Sequence, residues 1–196
     1  MTAQRLDPVE QRVLGCLIEK QRTTPEQYPL TLNSLRLACN QTTNREPVLQ
    51  LDEAQVRAAA QSLGTKGYAR LATGPGSRTA KYRQLFQEAL DLMPAEVSIL
   101  AVLMLRGPQT ASELKTRTER LASIDDVAAV LARLDEKELV HSVGKQPGQS
   151  AERWTHLLGE APSEGAEPET IEKRVVRLEE KLAELERALA ERGLLD

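Results

Sequence analysis

The chain has 196 residues, 40% of them hydrophobic and 28% charged, with a formal net charge of −3, a composition ordinary for a folded globular protein of one large domain or two small ones. Only 3% of its residues are aromatic, which points to small cores of Leu, Val and Ala and so to two compact helical domains. No run of about 18 apolar residues is present to span a bilayer and residues 1–7 hold no apolar signal-like segment, so a cytoplasmic location is expected.

The first predicted helix opens on Pro8 and carries Val13, Leu14, Leu17 and Ile18 before ending on the cation Lys20. Its pattern returns in register 86 residues later: Pro94, Glu96, Val97, Ile99, Leu100, Leu103, Met104 and a closing Arg106. Cys16 and Cys39 sit among apolar helical positions, where buried free thiols are expected rather than a disulfide or a metal site.

The repeat continues. Thr31 and Leu35 begin a short second helix matched by Thr110 and Leu114. Residues 51–63, opened by the capping-box pair Asp52 and Gln55 and striped by Val56, Ala60 and Leu63, form a third helix matched by 122–134. Each copy then reads as a strand (68–72 and 139–143), a glycine-proline turn (74–77 and 144–148) and a returning strand (79–83 and 151–157). Tyr82 and Trp154 occupy matching places after the turns.

Three helices and a hairpin is the order of a winged helix. The expected fold is therefore mainly α with small β-hairpins: two tandem winged-helix domains, a basic one at 1–86 and an acidic one at 87–160. The first copy is longer by about fourteen residues, since the copies stand 86 apart at Pro8 and Pro94 but 72 apart at Pro75 and Pro147. Half of that excess lies in 23–29. The rest is a polar run at 40–48, containing Asn40, Gln41, Asn44, Arg45 and Pro47, which reads as an insertion between the second and third helices.

Residues 161–169 are a linker by composition. Beyond it Ile171, Val175, Leu178, Leu182, Leu185 and Leu189 alternate by four and three, the seam of a coiled-coil helix over 170–192. With Val175 at an a position, Arg174 faces Glu179 and Lys181 faces Glu186 of a parallel partner, which favours a homodimer over a helix folded back on its own chain.

The approach Tyr28-Pro29-Leu30-Thr31, the loop from Cys39-Asn40-Gln41 to Arg45-Glu46-Pro47-Val48, and Gly74-Pro75-Gly76-Ser77-Arg78 with Lys81-Tyr82-Arg83 resemble the YceH-like family of bacterial proteins. The resemblance covers about residues 6–158. It implies a tandem winged-helix fold and a bacterial cytoplasmic protein, and it brings no catalytic residues.

Charge separates the copies. Residues 1–86 carry 12 Lys/Arg against 7 Asp/Glu, residues 87–160 carry 8 against 12, and the remainder 6 against 10. Phosphate neutralisation supplies most nucleic-acid affinity, so only the first copy is expected to bind double-stranded DNA. Lys66, Arg70, Arg78, Lys81 and Arg83 cluster around its wing as phosphate contacts. On the third helix Arg57 and Gln61 stand away from the apolar stripe, placed to read guanine and adenine, or else to form a solvated face with Glu53. Gln41, Asn44 and Arg45 of the inserted loop read as further DNA contacts or as the polar ties of a long turn, two roles that are compatible, with Arg45 contacting a ligand while the amides hold the loop. In the second copy Asp125, Asp126 and Glu136 surround Arg133, a face suited to a protein partner or a positioning role.

Enzyme motifs are missing from the sequence. Residues 74–78 lack the lysine and hydroxyl order of a P-loop, and His141 and His156 have no companion ligand set. No catalytic residue, cofactor or metal is expected. The function read from the residues is a non-enzymatic DNA-binding protein, a transcriptional regulator in outline; the alternative is a protein–protein adaptor built from tandem winged helices.

Overall fold

The structure, a computed structural model, describes residues 3–72, 80–144 and 151–159. Arg78, most of both wing turns, the linker and the predicted seam at 170–192 lie outside the described residues. The chain divides into two units, Met1–Pro162 and Ser163–Asp196, and every described residue belongs to the first.

Helix α1 (Pro8–Thr23) starts where the sequence demands. Asp7 accepts from the backbone N–H groups of Val9 and Glu10, and the Glu10 carboxylate accepts from the Asp7 N–H in return, with proline at a position that has no helical hydrogen bond to lose. After a 3₁₀ turn (Pro25–Gln27), strand β1 (Leu30–Thr31) leads into α2 (Leu32–Cys39), capped by the Thr31 hydroxyl on Ser34 N–H at 3.1 Å. Asp52 and Gln55 form the expected box at the start of α3 (Glu53–Thr65). Strands β2 (Ala69–Ala72) and β3 (Lys81–Gln84) follow, and the short α4 (Phe86–Ala89) joins the halves.

The second half repeats this order: α5 (Pro94–Arg106), α6 (Ala111–Thr118), α7 (Val127–Glu136), and the pair β4 (Val140–Ser142) and β5 (Trp154–His156). One boundary moves. The third helix of this half begins at Val127 rather than at 122, because Asp126 is its N-cap, accepting from Ala129 N–H at 3.0 Å. A cap there places the residues before it outside the helix.

The repeat is deeper than the residue pattern suggests. In the first half β1 pairs with β3 through Leu30 and Tyr82, giving the order β1-β3-β2. In the second, Gln109 exchanges two backbone hydrogen bonds with Trp154, at 2.7 and 3.0 Å. Tyr82 and Trp154 thus receive the same neighbour, the segment just before the second helix. Each half also ties the start of its first helix to the end of its third with a buried carboxylate. Glu10 takes Lys66 Nζ at 2.7 Å, and Glu96 takes Lys137 Nζ at 2.9 Å while also accepting from Met93 N–H. The Glu96 carboxyl lies below the usual carboxylate range: burial works against the charge, but the bonds from Lys137 and Met93 outweigh it.

The halves share one core, against the expectation of two. Helix α1 is buried from Glu10 to Glu19 and α5 from Glu96 to Leu105, so each is surrounded on all sides, and they pack on each other. They meet at Gly15, where a Cβ would stand 2.8 Å from Leu105 Cγ. The chain ends of this unit are joined as well, Leu6 N–H donating to the Leu158 carbonyl at 2.6 Å.

His156 is 3% exposed, and neither ring nitrogen has a hydrogen-bond partner. Burial pushes its pKa down from 6.5 to about 4. Between these values the unfolded chain holds a proton that the folded one does not, so stability falls as pH drops through this window, by up to about 3 kcal/mol. His156→Leu is expected to flatten that slope; thermal midpoints of both proteins at pH 7 and pH 4.5 read it, and an equal acid loss in the two would count against the assignment.

Candidate nucleic-acid interface and the loop behind it

Strands β2 and β3 place Arg70 opposite Arg83 and Ala72 opposite Lys81. Directly opposed residues share a face of the sheet, as do residues two apart on one strand. Arg70, Lys81 and Arg83 therefore lie on one face, while Ala69, Tyr82 and Gln84 of the other face are buried. Two arginines opposed across a ladder repel each other. The only carboxylate paired with the three among the described residues is Glu88, 67% exposed, at 3.2 Å from Arg83, and such a surface pair is worth under about 1 kcal/mol.

On α3, Arg57 and Gln61 are exposed, as is Glu53, while Val56, Ala60 and Leu63 are buried as expected. The two candidates differ in setting from Lys66. That lysine caps the same helix but is held by Glu10 and by the Arg5 carbonyl at 2.9 Å, and its counterpart Lys137 makes the same tie in the acidic half. Lys66, expected among the DNA contacts, is placed by the structure in an ion pair with Glu10 that has its counterpart in the second half.

In the loop at 40–48 the side chains of Asn40, Gln41 and Arg45 turn inward to the protein. The Arg45 side chain is fully buried. Its Nη2 meets Glu19 Oε2 at 2.6 Å and its Nη1 meets Glu19 Oε1 at 3.2 Å, a two-pronged ion pair. Its Nε donates to the Ala38 carbonyl and Nη1 also to that of Asn44. Arg45 does not reach outward to a nucleic acid. Burial disfavours its charge, but neighbouring Cys16 and Glu19 raise its pKa overall.

The rest of the loop is tied in the same way. Asn40 spans its base, donating to the Leu51 carbonyl and accepting from Leu51 N–H, each at 2.8 Å. Arg12 of α1, also fully buried, donates to the carbonyls of Cys39 and Pro47; burial lowers its pKa. Gln41 accepts from Lys20 at 3.3 Å and from Arg45 at 3.0 Å; Asn44, in the left-handed region at φ 60°, accepts from Arg106 at 3.0 Å. Lys20 and Arg106 are the matching final cations of the two copies. Glu46 N–H donates to the Leu105 carbonyl at 2.8 Å. Gln41 and Asn44 are thus polar ties, and the insertion binds the first half to the second.

Cys16 and Cys39 are buried and free, yet they are neighbours despite their separation in sequence. The hydrogen bond between them and burial push the Cys39 thiol well up. For Cys16 burial is outweighed by that bond and by the charges of Arg45 and Arg12, and its pKa is lowered. No group of three or more His, Cys, Asp and Glu suited to a metal ion occurs among the described residues, and none of their helices is long and apolar enough to cross a membrane.

These elements define a mainly helical protein of two like halves with small antiparallel sheets, one carrying a cationic face. The chain matches the family described as "Protein of unknown function, DUF480" over residues 6–149. It is 48% identical over 190 residues to a UPF0502 protein of Geobacter sulfurreducens, covering 94% of this chain and 86% of that one. It is also 43% identical over 210 residues to one of Serratia proteamaculans, covering 97% and 98%. A third relative, from Pseudomonas fluorescens, is 42% identical over 205 residues, covering 93% and 94%. The chain belongs to this bacterial DUF480/UPF0502 family, in keeping with the resemblance its motifs carry.

Proposed function

We propose that the protein is a non-enzymatic, cytoplasmic DNA-binding protein, in outline a transcriptional regulator, built from two tandem winged helices of which the first contacts duplex DNA. The observation that carries this reading is the set Arg70, Lys81 and Arg83 on one sheet face, short of carboxylates and so suited to phosphates. Arg57 and Gln61, exposed on the preceding helix, are the base-reading candidates. The acidic second half stays off the phosphates and offers a face to a protein partner. Through the seam at 170–192 the chain forms a homodimer.

Binding to random duplex as a function of salt tests this. Arg70, Arg78, Lys81 and Arg83 engage about four phosphates, so log K is expected to fall with log salt at a slope of roughly −4. Arg70→Ala with Lys81→Ala is expected to flatten the slope by about 2. No binding at low salt would remove the DNA reading and leave the adaptor. Sedimentation of the same samples is expected to give twice the chain mass; a single-chain mass would remove the dimer.

A further inference from the structure

Behind the loop lies an open cavity of about 180 Å³, lined by α5 and α6 of the second half and by Glu19 and Asn44 of the first. Three arginines line it: Arg106 at the end of α5, Arg117 on α6 and Arg120 just past α6. Val102 and Leu121 give it an apolar wall.

The charges do not balance. Glu19, the only carboxylate of the lining, is already matched by the two-pronged bond from Arg45. Arg117 leans on Glu113 at 3.3 Å, but Glu113 also holds Arg153 at 3.2 Å. Among the described residues Arg106 donates to the uncharged amide of Asn44 and has no ion pair, and Arg120 has none either. The Arg106 guanidinium sits below the ordinary arginine range, first through burial and then through the like charge of Arg117, with Glu46 and Glu113 pulling the other way. Three arginines line a space whose one carboxylate is already paired, and Glu113, outside the lining, is shared between Arg117 and Arg153. Guanidinium forks match the paired oxygens of phosphate and carboxylate groups.

We propose that this cavity binds a small, doubly charged organic oxyanion, its charged end held by Arg106, Arg117 and Arg120 and its carbon body resting on Val102 and Leu121. The volume lies below the roughly 300 Å³ at which pockets for drug-sized ligands begin, which selects a compact phosphate monoester or dicarboxylate over a nucleotide. Because one wall is the inserted loop of the first half and the others belong to the second, the ligand touches both. An occupant that binds one arrangement of the halves better than another shifts their balance by that difference in affinity. The site is distinct from the cationic sheet face and does not depend on the DNA reading.

Calorimetric titration of the full chain in low-chloride buffer with phenyl phosphate, phthalate and inorganic phosphate tests it. One-to-one binding is expected for phenyl phosphate or phthalate, tighter than for inorganic phosphate, and the tighter of the two organic probes names the charged group. Arg117→Gln with Arg120→Gln, both partly solvent-facing and so expected to fold, should weaken it at least about tenfold. Arg5→Gln with Lys115→Gln, both exposed and outside the lining, removes the same charge elsewhere and should leave it unchanged. Equal weakening by the two pairs of substitutions, or no saturable binding of any probe up to about 10 mM, a limit of roughly 3 kcal/mol in binding free energy, would overturn the proposal.

Discussion

Arg45→Ala is expected to destabilise the fold by about 3–5 kcal/mol, the usual loss when one partner of a buried ion pair is removed. Alanine leaves Glu19 charged and only 10% exposed in its side chain, and it takes donors from the carbonyls of Ala38 and Asn44 at once. For a unit of this size the midpoint should drop by roughly 10 °C. Lysine is not expected to rescue it, since one ammonium does not reproduce the fork on Glu19 together with the Nε bond to Ala38. The paired change Arg45→Met with Glu19→Leu should cost less than the two single changes added together, because no charge is left alone in the interior. A stability loss below about 0.5 kcal/mol for Arg45→Ala, the level of an ordinary surface substitution, would show that the loop is held by other contacts.

This expectation reverses what the polar setting of Arg45 implies. Among Asn, Gln and Thr an arginine reads as exposed, and its partner Glu19 lies 26 residues earlier on α1, so no local spacing announces the pair. Lys66 misleads for a related reason: it adds to the local basic count, while Glu10, which neutralises it, lies 56 residues away. Local chemistry was the legible part. Pro8 and Pro94 open helices, Asp52 and Gln55 cap one, and the hairpin strands fall close to their expected ranges, because caps and turns are decided by neighbours in sequence. The single core also had a signal. The run from Val97 to Leu105 has no polar face apart from Ser98, which bonds the Pro94 carbonyl, and a helix apolar all round must be enclosed. What stayed hidden is which side chains meet across the halves. The arginines of the cavity come from α5, α6 and the turn after it, in the half whose net charge is negative, and a charge count by halves passes over them.

The second large effect is expected at the other joint between the halves. A Cβ at Gly15 would lie 2.8 Å from Cγ and 2.9 Å from Cδ2 of Leu105, with the Ala101 carbonyl at 3.5 Å. These atoms are the branch of a leucine that is 3% exposed, so the neighbour has little room to turn aside. Alanine gains about 1 kcal/mol in helix propensity over glycine and loses about 1–3 kcal/mol to overpacking, which leaves Gly15→Ala mildly destabilising. Valine adds a second branch and gives up most of the propensity gain, so Gly15→Val is expected to cost about 3 kcal/mol. Leu105→Ala alone should cost about 2–5 kcal/mol through the cavity it leaves. In combination the valine fills part of that space, and Gly15→Val with Leu105→Ala should be more stable than the sum of the single changes by at least about 1 kcal/mol. Denaturant midpoints of the four proteins give that difference directly. Plain additivity would mean that α1 and α5 separate without consequence there. Coupling would locate the shared core at this crossing, one residue along α5 from the arginine that grips the loop.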